Sequence, residues 1–335
     1  MKKRVLVLGG TGAMGIYTVP ELAAKGYLVD VLSMDQVSSA NQAVKHYCVD
    51  AKNDDVLRDF MRNNRYDAVI DYLIYETRDF SRRVNFLLEN TDHYIFLSTY
   101  RIYDNKEHPV KETSPRLLDA SEDDQFLQYA DREYSLYKAQ QENVLRASGY
   151  KNWSIVRPAI TFSKFRYQLV TQEAAVIIRR AMEGKIVVLP ESAMNVQATM
   201  SWAGDVAKMF AGLVLNPKAY GETFSLCTAE HHTWREIAQM YTEIVGLKYV
   251  TVDDDTYLNI HGSRPFADYQ LRYDRCFDRI MDNSKILQVT GLTQQDLTPI
   301  REALTRELTS LPRDHVWEHS SVYDRMDAWL RENGL

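Results

Sequence analysis

Apolar residues fall in short blocks along the first half of the chain, at 5–8, 28–32, 47–49, 68–73, 94–97 and 153–156. The blocks are rich in β-branched or aromatic residues and bounded by polar residues or glycine, which predicts buried strands. Between them run amphipathic stretches, such as the one carrying Val56, Leu57, Phe60 and Met61, spaced for one face of a helix. Strands alternating with helices predict βαβ units, and hence a parallel sheet covered on both faces. The expected fold class is α/β, a doubly wound parallel sheet.

Beyond Pro158 the rhythm loosens. The pattern predicts a helix over 170–183, a strand at 186–189, and a helix over 205–215 with Asp205 as its N-cap. Thr233 with Glu236 three residues on forms a capping box that opens a helix over 233–245. A strand at 249–252 and amphipathic helices over 296–309 and 320–332 follow. The stretch 104–128, rich in Asp, Glu, Pro and Ser, reads as a surface loop.

Charge narrows the function classes. Lys plus Arg number 40 against 46 Asp plus Glu, a net charge of −6, which disfavours a broad nucleic-acid surface. Cys48, Cys227 and Cys276 lie far apart with no CxxC spacing, which excludes a disulfide framework and a zinc ribbon. His231 and His232 lack a carboxylate at ligand spacing, and His315 and His319 flank Val-Trp-Glu, unlike the zinc-protease pattern, so no metal is expected. No apolar run approaches the roughly 20 residues of a membrane span. The run after Lys2-Lys3-Arg4 is shorter than the roughly 7–15 residues of a secretory segment, so the expected compartment is the cytoplasm.

Two groups of residues carry chemistry. Gly9, Gly12 and Gly15 stand three apart between the first strand and the first helix, with Gly10, Thr11, Ala13 and Met14 among them. A turn of this kind lets backbone approach a pyrophosphate, and the helix N-terminus offers N–H groups and a positive dipole end. An acid closing the second strand would bind the adenosine ribose. Ser33 stands there, Asp35 follows two residues late, and no arginine follows nearby, which favours NAD and leaves NADP open. Asp50, after the third strand, is placed to accept from the adenine amino group. The second group is Tyr134 and Lys138, one helical turn apart. With 21 tyrosines, chance alone supplies such a pair. Its place before the sixth strand, and the hydroxyls of Ser98 and Thr99 at the end of the fifth, give it weight. A lysine beside a phenol lowers its pKa and makes an acid/base.

In this ordered set the chain resembles the extended short-chain dehydrogenase/reductases of the NAD-dependent epimerase/dehydratase family (UDP-galactose 4-epimerase-like). The glycine turn, Ser98 to Tyr103, Tyr134 with Lys138, Arg157-Pro158, Trp202 to Ala207 and Asp282 to Leu292 carry the resemblance, over residues 1 to about 295. It implies a Rossmann-type domain over 1–160 plus about 200–228, and a smaller α+β substrate part over about 161–199 and 229–335. Thr99 maps to the catalytic hydroxyl, Tyr134 to the acid/base, and Lys138 to the residue that holds the nicotinamide ribose. Tyr72, Leu73 and Pro158 join the cofactor wall, and Tyr137 is a rival phenol more suited to packing. Arg272 maps to an arginine on a substrate diphosphate, with Arg264 and Arg275 as rivals. The implied partners are a nucleotide sugar and a second copy of the chain, docked through helices near 77–90 and 130–148.

Two departures are visible. The fourth strand ends in the bulky run Asp71 to Glu76 where the family has small residues, and Tyr100-Arg101 replaces the Asp-Glu of the dehydratases. A dehydratase is therefore disfavoured. The alternatives are a reductase of a non-sugar carbonyl, and a non-catalytic dinucleotide- or RNA-binding regulatory protein.

Overall fold

The computed structural model describes residues 2–127, 129, 133–262, 264–312 and 314–335. Seven strands form one parallel sheet: β1 (Arg4–Leu8), β2 (Leu28–Ser33), β3 (Val44–Cys48), β4 (Tyr66–Asp71), β5 (Thr91–Leu97), β6 (Trp153–Pro158) and β7 (Glu222–Leu226). Their order is β7-β6-β5-β4-β1-β2-β3. Val5 of β1 pairs with Val29 on one side and Ala68 on the other. The order reverses between β1 and β4, and in such sheets the crevice at the strands' carboxyl ends there takes ligands.

Period-two alternation sorts the core. Val5 and Val7 face one side with Val29, Val31, Val206 and Phe210, so helices α1 (Gly15–Ala24) and α5 (Ala203–Leu213) cover that face. Leu6 and Leu8 face the other with Leu57, Leu87, Phe96 and Leu145, under α2 (Asp54–Asn63), α3 (Thr77–Glu89) and α4 (Tyr134–Ala147). Residues 5–8 have no exposed surface, as a strand covered on both faces requires. A further core gathers Trp234, Tyr241, Tyr257 and Leu304 beyond the sheet, next to a parallel pair of strands, Ile186–Pro190 and Lys248–Val252.

Several boundaries differ from the expected ones, each for a local reason. The fourth strand stops at Asp71, whose carboxylate accepts from the Leu73 N–H at 3.1 Å and turns the chain out. The helix expected from 170 begins at Ala174, because Val170 and Thr171 form a turn between paired strands. Asp205 is not an N-cap: the helix starts at Ala203, and Asp205 in its first turn accepts from the Thr298 N–H at 2.6 Å. The capping box of Thr233 and Glu236 is present. The expected loop over 104–128, of which 128 lies outside the described residues, holds the short helices Leu117–Ala120 and Asp124–Leu127 and buries Val110 and Phe126.

Candidate functional site

The glycine turn joins β1 to α1. Gly9 adopts φ +76°, and a Cβ there would come within 2.9 Å of Leu73 Cδ2. A Cβ on Gly15 would lie 2.3 Å from the Gly10 carbonyl oxygen, so the helix start and the turn close up only around glycine. Gly12 is different, since its Cβ would meet only the Gly9 oxygen, at 3.7 Å. It faces open space, where a phosphate can approach the backbone and the end of the helix. Thr11 donates to Asp35 at 2.6 Å, which brings that carboxylate to the turn. Ser33 is nearly buried and bonds back to the Asp35 carbonyl at 3.4 Å. Asp35 is thus the acid beside the turn, two residues later than spacing alone placed it. Asp50 is exposed and caps its own turn by accepting from Lys52 N–H at 2.9 Å.

The bulky end of β4 is accommodated in two ways. Tyr72 donates to Thr18 at 2.8 Å and packs edge-on against Phe210, which draws it under α1. Leu73 packs onto Gly9, and its carbonyl accepts from Lys138 at 3.3 Å. These residues fit a dinucleotide at the open Gly12 face, with Met14 as the N-cap of α1 and Asp35 bonded to Thr11 beside it.

At the carboxyl ends of β5 and β6, Thr99, Tyr134 and Pro158 line one cavity of about 240 Å³, which Met14 of the glycine turn also borders. Thr99 accepts from the Arg101 N–H at 3.3 Å, and its own proton has no acceptor among the described residues, which leaves it available to a bound oxygen. Tyr134 is the first residue of α4, where the helix dipole favours negative charge. Burial pushes its phenol above the usual value, against the pull of the Arg101 and Arg166 guanidiniums. Lys138 is fully buried behind it, with Nζ 5.7 Å from the Tyr134 ring centroid and 4.7 Å from that of Phe96. Burial pulls its pKa down to about 8, while Asp71 and Glu142 hold it up. The cations acting most strongly on the phenol are therefore arginines, which residue spacing did not reveal.

A buried ion pair fixes this edge of the sheet. Arg157 Nε and Nη2 donate to the two Glu142 oxygens at 2.8 and 2.6 Å, and Ser98 donates to the same carboxylate at 2.6 Å. Burial would raise the Glu142 pKa, but Arg157 outweighs it and holds the carboxyl below its usual range. Arg157-Pro158 thereby ties β6 to α4 and to the residue preceding Thr99.

Arg272 does not line the cavity. It is exposed and donates to Asp268 at 2.6 Å, whereas Arg275 lines the cavity beside Arg101 and Arg166. Tyr137 borders a separate surface cavity with Tyr75 and Arg82. No cluster of three potential metal ligands occurs among the described residues, where all three cysteines are free.

A parallel sheet of this order, with a glycine turn at its switch point and a Tyr/Thr cavity beside it, defines a Rossmann-type dinucleotide-binding protein. The chain belongs to the NAD dependent epimerase/dehydratase family, whose model matches residues 5–227. NAD is accordingly its cofactor. The chain is similar in structure to the Bordetella bronchiseptica enzyme WbmH in complex with NAD+, with TM-score 0.67, 14% identity and 100% of each chain covered. It is also similar to the UDP-glucose 4-epimerase of Thermus thermophilus in complex with NAD, with TM-score 0.64, 19% identity, and 92% of this chain and 99% of that one covered. By sequence it is 20% identical over 259 residues to the chloroplast stem-loop binding protein of 41 kDa b of Arabidopsis thaliana. That match takes in 73% of this chain and 64% of the relative's length, so the chain spans under two thirds of it.

Proposed function

We propose that this chain is an NAD-dependent epimerase or oxidoreductase acting on a sugar nucleotide. The supporting observation is that Thr99 and Tyr134 share one cavity with Met14 of the glycine turn. Tyr134 exchanges a proton with a substrate hydroxyl, and Thr99 donates to the same oxygen as negative charge develops on it. The helix end and the Arg101 and Arg166 guanidiniums favour the phenolate against the effect of burial. NAD, when bound, would supply the redox chemistry as hydride acceptor and, in an epimerase, as hydride donor. In this reading Gly12, Ala13 and Met14 hold the pyrophosphate, Asp35 the adenosine ribose and Tyr134 the nicotinamide ribose. Lys138, which has no exposed surface and donates to the Leu73 carbonyl, acts from behind Tyr134. The reading extends to a cytoplasmic homodimer docked through α3 and α4, residues 130–132 of that expected surface lying outside the described residues.

The test is a panel of nucleotide sugars incubated with the NAD-loaded protein and followed by proton NMR. The expected result is inversion or oxidation at one ring carbon of at least one member. A panel left wholly unchanged contradicts the reading. A second reading, RNA binding, is favoured by the stem-loop binding relative and opposed by the net charge of −6. Filter binding across a salt series separates the two, since phosphate contacts weaken steeply with salt.

A further inference from the structure

One wall of the cavity is built from strained chain. Ser163 and Arg166 close a two-residue turn by exchanging backbone hydrogen bonds of 3.1 and 2.9 Å, with Phe165 held at φ +65°. Val170 lies at φ +53°, opening the two-residue turn between the paired strands Gln168–Leu169 and Gln172–Glu173. Positive φ in such turns calls for Gly or Asn, and a β-branched residue there is an outlier. The two strained positions hold polar groups in place. Arg166 and Gln168 line the cavity, and the Val170 carbonyl accepts from Arg275 Nε at 2.6 Å. Strain of this kind persists where the surroundings over-determine it, and it clusters at ligand sites.

The charges of the cavity do not balance. Three arginines line it and, among the described residues, no Asp or Glu does. Arg101 is paired with Glu133 and Asp274, and Arg275 with Asp274. Arg166 donates to the Thr161 carbonyl at 3.0 Å and has no carboxylate partner among the described residues. A half-buried guanidinium without a counter-ion is a site for an anion, and its planar fork matches a carboxylate. At about 240 Å³ the cavity falls below the roughly 300–1,000 Å³ of pockets for drug-sized ligands. It suits a single sugar ring, so the anion belongs to the same ring as the hydroxyl that meets Tyr134.

We propose that the sugar unit handled at this site carries a carboxylate, bound by Arg166 with Gln168 and Arg275 beside it. This rests on reading the cavity as the epimerase or oxidoreductase centre.

Two probe pairs that differ only at the acid test it: D-glucuronate against D-glucose, and UDP-glucuronate against UDP-glucose. Binding is measured by calorimetry on the NAD-loaded protein at constant ionic strength. In at least one pair the acid is expected to bind about tenfold or more tightly than its neutral partner. That preference disappears in Arg166→Gln and survives only in part in Arg166→Lys, which keeps the charge but loses the fork. Equal affinity for acid and neutral probe, an acid preference that persists in Arg166→Gln, or no binding of any of the four overturns the proposal. Tyr134-dependent turnover of a neutral sugar nucleotide without acid preference removes this inference alone. Loss of acid binding together with the absence of any Tyr134-dependent turnover removes the underlying reading as well.

Discussion

Replacing Tyr134 by Phe is expected to lower turnover by about 10²–10⁴-fold, the usual contribution of a positioned acid/base. The phenyl ring retains the packing of the tyrosine, with the Arg101 guanidinium 5.8 Å and the Lys138 ammonium 5.7 Å from the ring centroid. Only the hydroxyl is lost, so the start of α4 and its capping by Glu133, which accepts from the Ser135 N–H at 3.2 Å, are preserved. Steady-state rates on the substrate found in the NMR panel, with NAD affinity and thermal midpoint as controls, check this. Wild-type turnover in a folded Tyr134→Phe protein would move the proton transfer to another group.

Arg157→Ala is expected to cost about 3–5 kcal/mol of stability, the range for leaving one partner of a buried pair without the other. Glu142 has no exposed surface, and Arg157 bonds both of its oxygens. The remaining cations near that carboxylate, Arg116 at 3.3 Å and Arg146 at 3.7 Å, are more solvent-exposed and less well aimed. The folded-state pKa of Glu142 is depressed. Its stabilisation is therefore present above the ordinary carboxylate range and is lost as pH falls through the lower folded value. Urea denaturation of wild type and variant at neutral pH measures the loss. A change below about 1 kcal/mol would mean that the pair is solvated or replaced.

Five of the seven strands were legible because they are largely buried and read as apolar blocks. Val5 to Leu8 carry that signal without a polar residue among them. The edge strand β3, with Lys45 and Cys48 exposed, begins at Val44 rather than at 47, and β7 carries no such block. Boundaries were less legible wherever a distant group captured a local one. Asp205 has the chemistry of an N-cap, yet it bonds Thr298, a partner that helical spacing cannot foresee. Thr99 and Tyr134 stand out from motif order, Thr99 directly beyond β5 and Tyr134 as the first residue of α4, and the structure brings the two into one cavity. Asp35 reads from the sequence as two residues late, and spacing alone does not show that the chain after Ser33 brings it back to Thr11. Arg272 and Arg275 lie three residues apart in a turn wound wider than an α-helix. That winding leaves Arg272 outside with Asp268 and carries Arg275 into the cavity. Arg166 gave no sequence signal, because its direction depends on the strained turn at Phe165.

Titration calorimetry of the purified chain with NAD and NADP, repeated on Gly12→Ala, bears most directly on the whole reading. The expected result is one NAD site per chain, tighter for NAD than for NADP because Asp35 repels a 2′-phosphate. Gly12→Ala should abolish that binding without moving the thermal midpoint, since its new methyl meets only the Gly9 oxygen, at 3.7 Å. If neither dinucleotide binds to protein shown free of carried-over cofactor, the cavity at Thr99 and Tyr134 has no redox partner and the catalytic reading fails.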